Sequence, residues 1–177
     1  MLKQHKLPCK NFLPLILSLT FIGVLALITI SIKKAGYHIT FSATPSMPKG
    51  FYLITPIKEI KRFDIIEFRP PIDILNFMKE KRWIPASGLI IKYVFALPGD
   101  HACIKKQTLW INNKKIGKVH RFYDKNKLLP QTKICGKLVD DQYLLLSTES
   151  ERSFDSRYFG VISAQNILGH ATPIFIY

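Results

Sequence analysis

An unbroken apolar stretch, residues 12–32, constrains this chain most, because none of its 21 residues is charged. A helix of that length spans about 31 Å, close to the roughly 30 Å thickness of the hydrocarbon core of a bilayer. A cleaved signal peptide is the alternative, but it needs a shorter apolar region followed by a small-x-small cleavage site. Here the stretch runs directly into Lys33 and Lys34. The sequence therefore predicts one uncleaved transmembrane anchor.

Lysines on the two sides of this stretch bear on its orientation. Three precede it and two follow it: Lys3, Lys6, Lys10, Lys33 and Lys34. This small excess on the N-terminal side favours a cytoplasmic N-terminus. The predicted division is a cytoplasmic stub and transmembrane anchor in residues 1–34 and an extracytoplasmic domain in residues 35–177.

The chain is strongly basic, with 26 Lys and Arg against 12 Asp and Glu and a formal net charge of +14. Without the five lysines that flank the apolar stretch, the remaining domain keeps a net charge of +9. Such a domain beside a bilayer is attracted to anionic lipid by about 1 kcal/mol per suitably placed base. The basic residues are scattered without a fixed spacing, so membrane lipid is a predicted partner and nucleic acid is not.

Beyond the anchor the chain is predicted to be mostly β. Short β-branched or aromatic runs, bounded by Gly, Pro, Asn or Asp, occur at residues 51–54, 64–68, 89–97, 108–111, 142–146 and 173–177. Asn112 and Asn113 directly follow the run of residues 108–111 and favour a tight hairpin turn there. Residues 71–78 contain enough helical pattern for one or two turns.

Two residues in this β domain are candidates for chemistry. Ser46 lies in a stiff segment between Pro45 and Pro48, which is also compatible with an ordinary turn serine. Lys92 is the single charge in the apolar run of residues 89–97, where it is either a buried amine or a lysine that protects an edge strand from aggregation. Burial lowers the pKa of a lysine and makes it a general base. None of the five histidines lies in a motif that is typical of a catalytic base. A Ser-Lys pair is therefore favoured over a Ser-His-Asp triad.

Four ordered blocks carry a family resemblance: PSMP at residues 45–48, RFDIIEF at 62–68, KYVFALPGD at 92–100 and SFDSRYFG at 153–160. With the anchor in front of them, they resemble the type I signal peptidases (family S26), membrane-tethered serine proteases with a mostly β fold. The forms TPSMPKG and FDSRYFG are most similar to the conjugative-transfer branch of that family, the TraF-type peptidases that mature pilin subunits for type IV secretion.

The resemblance implies a role for six residues and no metal or cofactor. Ser46 is the implied nucleophile and Lys92 its general base, while Ser153 orients the lysine amine. The oxyanion donors implied are the Ser46 amide and the Thr44 hydroxyl. Asp155 and Arg157 form a charged pair, either a structural salt bridge or a direct participant. One departure is the segment STES at residues 147–150, where the family usually has Gly-Asp-Asn.

The function implied is that of a peptidase of the bacterial inner membrane, with its catalytic domain on the periplasmic side. Its predicted partner is a pilin or another membrane-inserted precursor polypeptide, which is cleaved and in some members of the branch also cyclised. A general signal peptidase acting on exported proteins is one alternative. A membrane-anchored basic adaptor without catalysis is another, of a different class.

Two further features are left open by the sequence. Cys103 and Cys135 lie on the outer side in the signal peptidase topology, where a disulfide is permitted, and either a bridge or two free thiols is compatible with them. The apolar residues around Trp83 either dip into the headgroup layer or pack in the core.

Overall fold

The computed structural model describes residues 12–177. Its helices are α1 (Leu13–Lys34), α2 (Ile72–Glu80) and α3 (Ser156–Phe159), and a short 3-10 helix covers Ala164–Asn166. Its strands are β1 (His38–Ser42), β2 (Gly50–Thr55), β3 (Ile65–Phe68), β4 (Ile90–Ala96), β5 (His101–Lys105), β6 (Thr108–Ile111), β7 (Lys114–Lys118), β8 (Phe122–Asp124), β9 (Lys127–Leu128), β10 (Cys135–Lys137), β11 (Gln142–Leu146), β12 (Ile162–Ser163) and β13 (Ile167–Ile176). The predicted mostly β fold with an N-terminal apolar helix is confirmed.

The chain divides into two compact units, and helix α1 belongs to the first, which ends at Ala35. The second unit begins at Gly36. Pro14 lies in the first turn of α1, where the missing N–H costs nothing, and Lys33 and Lys34 lie in its last turn, where cations complement the helix dipole. Its 22 residues have a mean hydropathy of 2.6, and none of their side chains is buried by protein. By length and composition α1 can cross a membrane. The part of the predicted cytoplasmic stub in residues 1–11 lies outside the described residues.

The second unit contains a seven-stranded sheet in the order β1-β2-β13-β3-β4-β11-β12, counted over the described residues. All its pairings are antiparallel, and Ile66 of β3 lies opposite Lys92 of β4. Strand β4 is bonded to β3 on one side and to β11 on the other. Lys92 is therefore not on an edge strand, and the interpretation of this lysine as an edge-strand guard against aggregation is wrong.

A smaller sheet in the order β10-β5-β6-β7 packs beside the large one. Its β6–β7 hairpin turns at Asn112 and Asn113, whose φ angles of 48° and 64° confirm the predicted tight turn. Cys135 of β10 lies opposite Cys103 of β5, and the two form a disulfide. Of the two states that the sequence left open, the structure has the bridge.

The apolar residues around Trp83 pack within the domain. Leu75 and Met78 of α2 are buried, and the Trp83 ring makes edge contacts with Tyr123 and Phe154 at centroid distances of 4.9 and 5.6 Å. Trp83 and Phe154 also pack against the cluster of buried residues that joins the two sheets. The structure thus shows packing within the domain at this position, and contact of this stretch with the headgroup layer stays a prediction.

We expect the Cys103–Cys135 bridge to stabilise the domain by about 3–4 kcal/mol, because it closes a loop with a sequence separation of 32 and restricts the unfolded chain. Urea unfolding of the full chain in detergent, with Cys103→Ser compared with the parent, measures this difference. Cys9→Ser is the matched control. Equal unfolding midpoints for Cys103→Ser and the parent protein would contradict the expectation.

Candidate active site

The segment that carries Ser46 is a turn between β1 and β2. Pro45 and Pro48 restrict its backbone, and the side chain of Met47 is buried in the core next to Tyr52. The hydroxyl of Tyr52 also donates a hydrogen bond of 2.7 Å to the carbonyl oxygen of Pro48. The turn is thereby fixed against the sheet, and Ser46 remains partly accessible.

The amine of Lys92 meets the hydroxyl of Ser46. Lys92 Nζ donates a hydrogen bond of 2.6 Å to Ser46 Oγ, and the lysine side chain is 3% exposed. The pKa of the Lys92 amine is lowered from its ordinary value to about 8, chiefly by burial, while the charge of Asp155 acts to raise it and that of Arg157 to lower it. About a tenth of this amine is therefore uncharged at pH 7, and the fraction available as a general base grows towards pH 8.

The hydroxyl of Thr44 is the second polar group at Ser46 Oγ. Thr44 Oγ1 and Ser46 Oγ lie 2.9 Å apart, and either oxygen can donate. The nucleophile candidate thus has a base on one side and a neutral hydroxyl donor on the other. The structure brings together Thr44, Ser46 and Lys92, as the resemblance predicts.

Asp155 and Arg157 form a buried ion pair, 0% and 4% exposed, at the start of α3. Arg157 Nε and Nη2 each donate a 2.8 Å hydrogen bond to the two carboxylate oxygens of Asp155, which is the bidentate geometry of a strong pair. Arg157 also donates to the carbonyl oxygens of Glu151 and Lys118, at 2.9 and 3.1 Å. The pair therefore links several chain segments beside the site and acts on Lys92 through its charges.

Ser153 departs from the expectation. Its hydroxyl is buried and lines the same cleft as Ser46 and Lys92, but among the described residues it has no hydrogen-bond partner. The hydrogen bond from Ser153 to the lysine amine that the resemblance implies is not made here. The amine of Lys92 is directed at Ser46 instead.

Ser147 contacts the site and was not predicted as a site residue. Its hydroxyl donates a hydrogen bond to the carbonyl oxygen of Ser46, and its amide donates one of 3.3 Å to Asp155 Oδ2. A signal was present, because Ser147 directly follows the strand-like run of residues 142–146 and begins the segment that departs from the family pattern. The pairing of that run with the Lys92 strand, which brings Leu146 opposite Tyr93, was not predictable from either segment alone.

Thr44, Ser46, Lys92 and Ser153 line a cleft of about 990 Å³ in the second unit. One part of its wall is formed by Ser42, Thr44, Ser46 and Lys92, and another by the aromatic rings of Trp83, Tyr123 and Phe154. A volume of this size is large enough for several residues of an extended peptide. A nucleophile candidate at the wall of such a cleft can reach the carbonyl of a bound chain.

Comparison with known proteins identifies the family of the chain. The profile of the signal peptidase family, peptidase S26, matches residues 12–176, and the chain belongs to that family. Family membership supports a peptidase that is membrane-anchored through α1.

Several relatives of known name are similar to the chain. A conjugal transfer protein TraF from Agrobacterium fabrum is 27% identical over 172 residues, covering 89% of this chain and 94% of the relative. A protein named Probable signal peptidase I-2 from Synechocystis is 29% identical over 118 residues, which are 65% of this chain and about half (48%) of the relative's length. A signal peptidase I structure from Enterococcus faecalis is 26% identical and covers 66% of this chain and 99% of its own, with a TM-score of 0.41.

We expect the Lys92 amine of the full chain in detergent micelles to lose its proton with a midpoint near pH 8, because burial penalises the ammonium form. Carbon-13 NMR of the lysine Cε resonances measures this, with the Lys92 signal assigned by its loss in Lys92→Arg. Surface lysines titrate near about 10.4 and are the internal control. A Lys92 signal that moves together with theirs would contradict the expectation.

Proposed function

We propose that the protein is a serine endopeptidase in which Ser46 is the nucleophile and Lys92 its general base. The observation that carries this proposal is the 2.6 Å contact between Lys92 Nζ and Ser46 Oγ at a buried amine whose pKa is lowered to about 8. A serine hydroxyl is weakly nucleophilic until an adjacent base takes its proton. Lys92 is the one base with a hydrogen bond to this hydroxyl among the described residues.

In the proposed reaction, Ser46 Oγ attacks the scissile carbonyl while its proton moves to the neutral amine of Lys92. The ammonium then gives this proton to the departing amine, the peptide C–N bond breaks, and an acyl-enzyme remains. Deacylation runs the same way, with Lys92 taking a proton from the incoming nucleophile and returning it to Ser46 Oγ. Water as that nucleophile gives hydrolysis, and the amine of the substrate's own N-terminus gives a cyclic product.

The negative charge that develops on the carbonyl oxygen needs donors that are already in place. The backbone amide of Ser46 and the hydroxyl of Thr44, 2.9 Å from Ser46 Oγ, are proposed for this role. Such a donor contributes about 3–4 kcal/mol in the transition state of other serine proteases. The extra methyl group of threonine, compared with serine, limits rotation of the hydroxyl and keeps it near the nucleophile.

The substrate proposed is a membrane-inserted precursor of a conjugal transfer apparatus, a pilin subunit. The similarity to conjugal transfer protein TraF, which extends over 94% of the relative from Agrobacterium fabrum, supports this choice over a general signal peptidase. We place the protein in the bacterial inner membrane, spanning it once through α1, with residues 35–177 on the periplasmic side. The disulfide, which requires an oxidising compartment, supports that side.

Membrane lipid is the second proposed partner of the domain. Apolar side chains are exposed at the β1–β2 end of the large sheet, including Ile39, Phe41 and Phe51, and the last two rings lie 4.9 Å apart. Exposed apolar side chains beside an excess of basic residues suit an anionic bilayer surface. A peptidase whose substrate is embedded in the membrane needs its cleft close to that surface.

We expect Ser46→Ala and Lys92→Ala each to reduce processing of a co-expressed precursor by at least about 10³-fold, because each removes one half of a unit that acts together. In the parent, the rate should rise with pH and level off above about 8, as the amine loses its proton. The matched controls are the exposed residues Ser87→Ala and Lys105→Ala. Processing retained in Ser46→Ala or Lys92→Ala would reject the proposed dyad and favour an adaptor without catalysis.

The substrate class is tested by mass spectrometry of a pilin precursor co-expressed with the full chain. We expect a product cut on the N-terminal side of the mature pilin, and a cyclic product is lighter than the linear one by one water. A secretory precursor with a cleavable signal peptide is the parallel substrate. Processing of that precursor without processing of the pilin would favour the general signal peptidase.

A further inference from the structure

We propose that Ser147 is a positioning residue that fixes the turn carrying the nucleophile. The inference rests on the proposed function and concerns how the Ser46 hydroxyl is kept in place for Lys92. It is carried by one contact between segments that are 101 residues apart in the chain, the hydrogen bond from Ser147 Oγ to the carbonyl oxygen of Ser46.

The hydroxyl of Ser147 is held from both sides. It donates to the Ser46 carbonyl and accepts a hydrogen bond of 3.2 Å from the amide of Glu149. Because a hydroxyl has one proton, the bond that it accepts from Glu149 leaves that proton available for the Ser46 carbonyl. A residue without a side-chain hydroxyl, such as alanine, can make neither bond.

The backbone of Ser147 is itself anchored. Its amide donates to Asp155 Oδ2 at 3.3 Å, and the same carboxylate is held by Arg157 through its bidentate contact. The ion pair therefore positions Ser147, and Ser147 positions the nucleophile turn. This gives Asp155 and Arg157 a structural connection to Ser46 that needs no proton transfer.

The turn that carries Ser46 needs this support, because its own backbone makes few hydrogen bonds. The amide of Met47 reaches the carbonyl of Thr44 at 3.5 Å, the outer limit of a hydrogen bond, and Pro45 and Pro48 have no N–H to donate. Met47 and Tyr52 anchor the residues that follow Ser46. Among the described residues, the hydrogen bond from Ser147 is the one that the carbonyl oxygen of Ser46 accepts.

Fixing this carbonyl restricts rotation about the Cα–C bond of Ser46 and keeps the adjoining side chain and amide in place. Reacting groups that move by about 1 Å from a productive arrangement lose about 10²-fold in rate. Ser147 makes no hydrogen bond with Lys92 in the described residues, so its loss leaves the charge environment of the amine unchanged. Loss of the hydroxyl is therefore expected to lower kcat without moving the pH dependence.

The experiment compares Ser147→Ala, Ser147→Thr and Ser147→Cys in the full chain, with Thr148→Ala as the matched control because Thr148 is an exposed neighbour outside the cleft. We expect Ser147→Ala to lower kcat by about 10- to 100-fold with KM and the pH midpoint unchanged. Ser147→Thr keeps the donor and is expected to restore most of kcat. Thermal unfolding is measured in parallel, and if Ser147→Ala is unfolded, Ser147→Cys tests loss of the hydroxyl at nearly constant volume.

The possible outcomes separate this inference from the proposed function. If Ser46→Ala abolishes processing but Ser147→Ala and Ser147→Cys keep the parent kcat, the positioning role is rejected and the dyad stands. A shift of the pH midpoint in Ser147→Ala, or failure of Ser147→Thr to recover activity when it is folded, also rejects it. Processing retained in Ser46→Ala instead rejects the proposed function itself.

Discussion

The site depends on the cost of burying an amine. A lysine that is 3% exposed loses the water that would stabilise its ammonium form, and its pKa falls to about 8. Lys92 lies on an interior strand, β4, whose backbone is paired with β3 on one side and with β11 on the other. The lowered pKa of this amine is thus a property of the sheet as much as of the residue.

The two charges next to this amine act on its pKa in opposite directions. A lone carboxylate beside Lys92 would favour the ammonium form, and Asp155 does act in that direction. Arg157 occupies both oxygens of Asp155 and opposes its effect on Lys92. The aspartate thereby anchors the neighbouring chain through the amides of Ser147 and Arg157, while the pKa of Lys92 stays below its ordinary value.

Features encoded in a single segment were predictable from the sequence, and features that depend on distant pairing were not. The apolar run of α1, the turn at Asn112 and Asn113, and the one charge in the β4 run each carry their own local signal. The pairing of Lys92 with Ser46 was inferred from the lack of a suitable histidine and from the family resemblance rather than from spacing. The contact of Ser147 with Ser46 follows from where β11 pairs in the sheet, and the missing partner of Ser153 depends on side-chain orientation in a loop.

The order of strands in the large sheet has a consequence for the folding of the domain. Strand β13 follows every other described strand in the chain, yet it lies inside the large sheet, between β2 and β3. A nascent chain that has not yet released this segment lacks the element that joins the Ser46 side of the sheet to the Lys92 side. The site proposed between Ser46 and Lys92 therefore depends on a strand that is translated after both residues, so we expect the two side chains to be held together only once β13 has paired with β2 and β3.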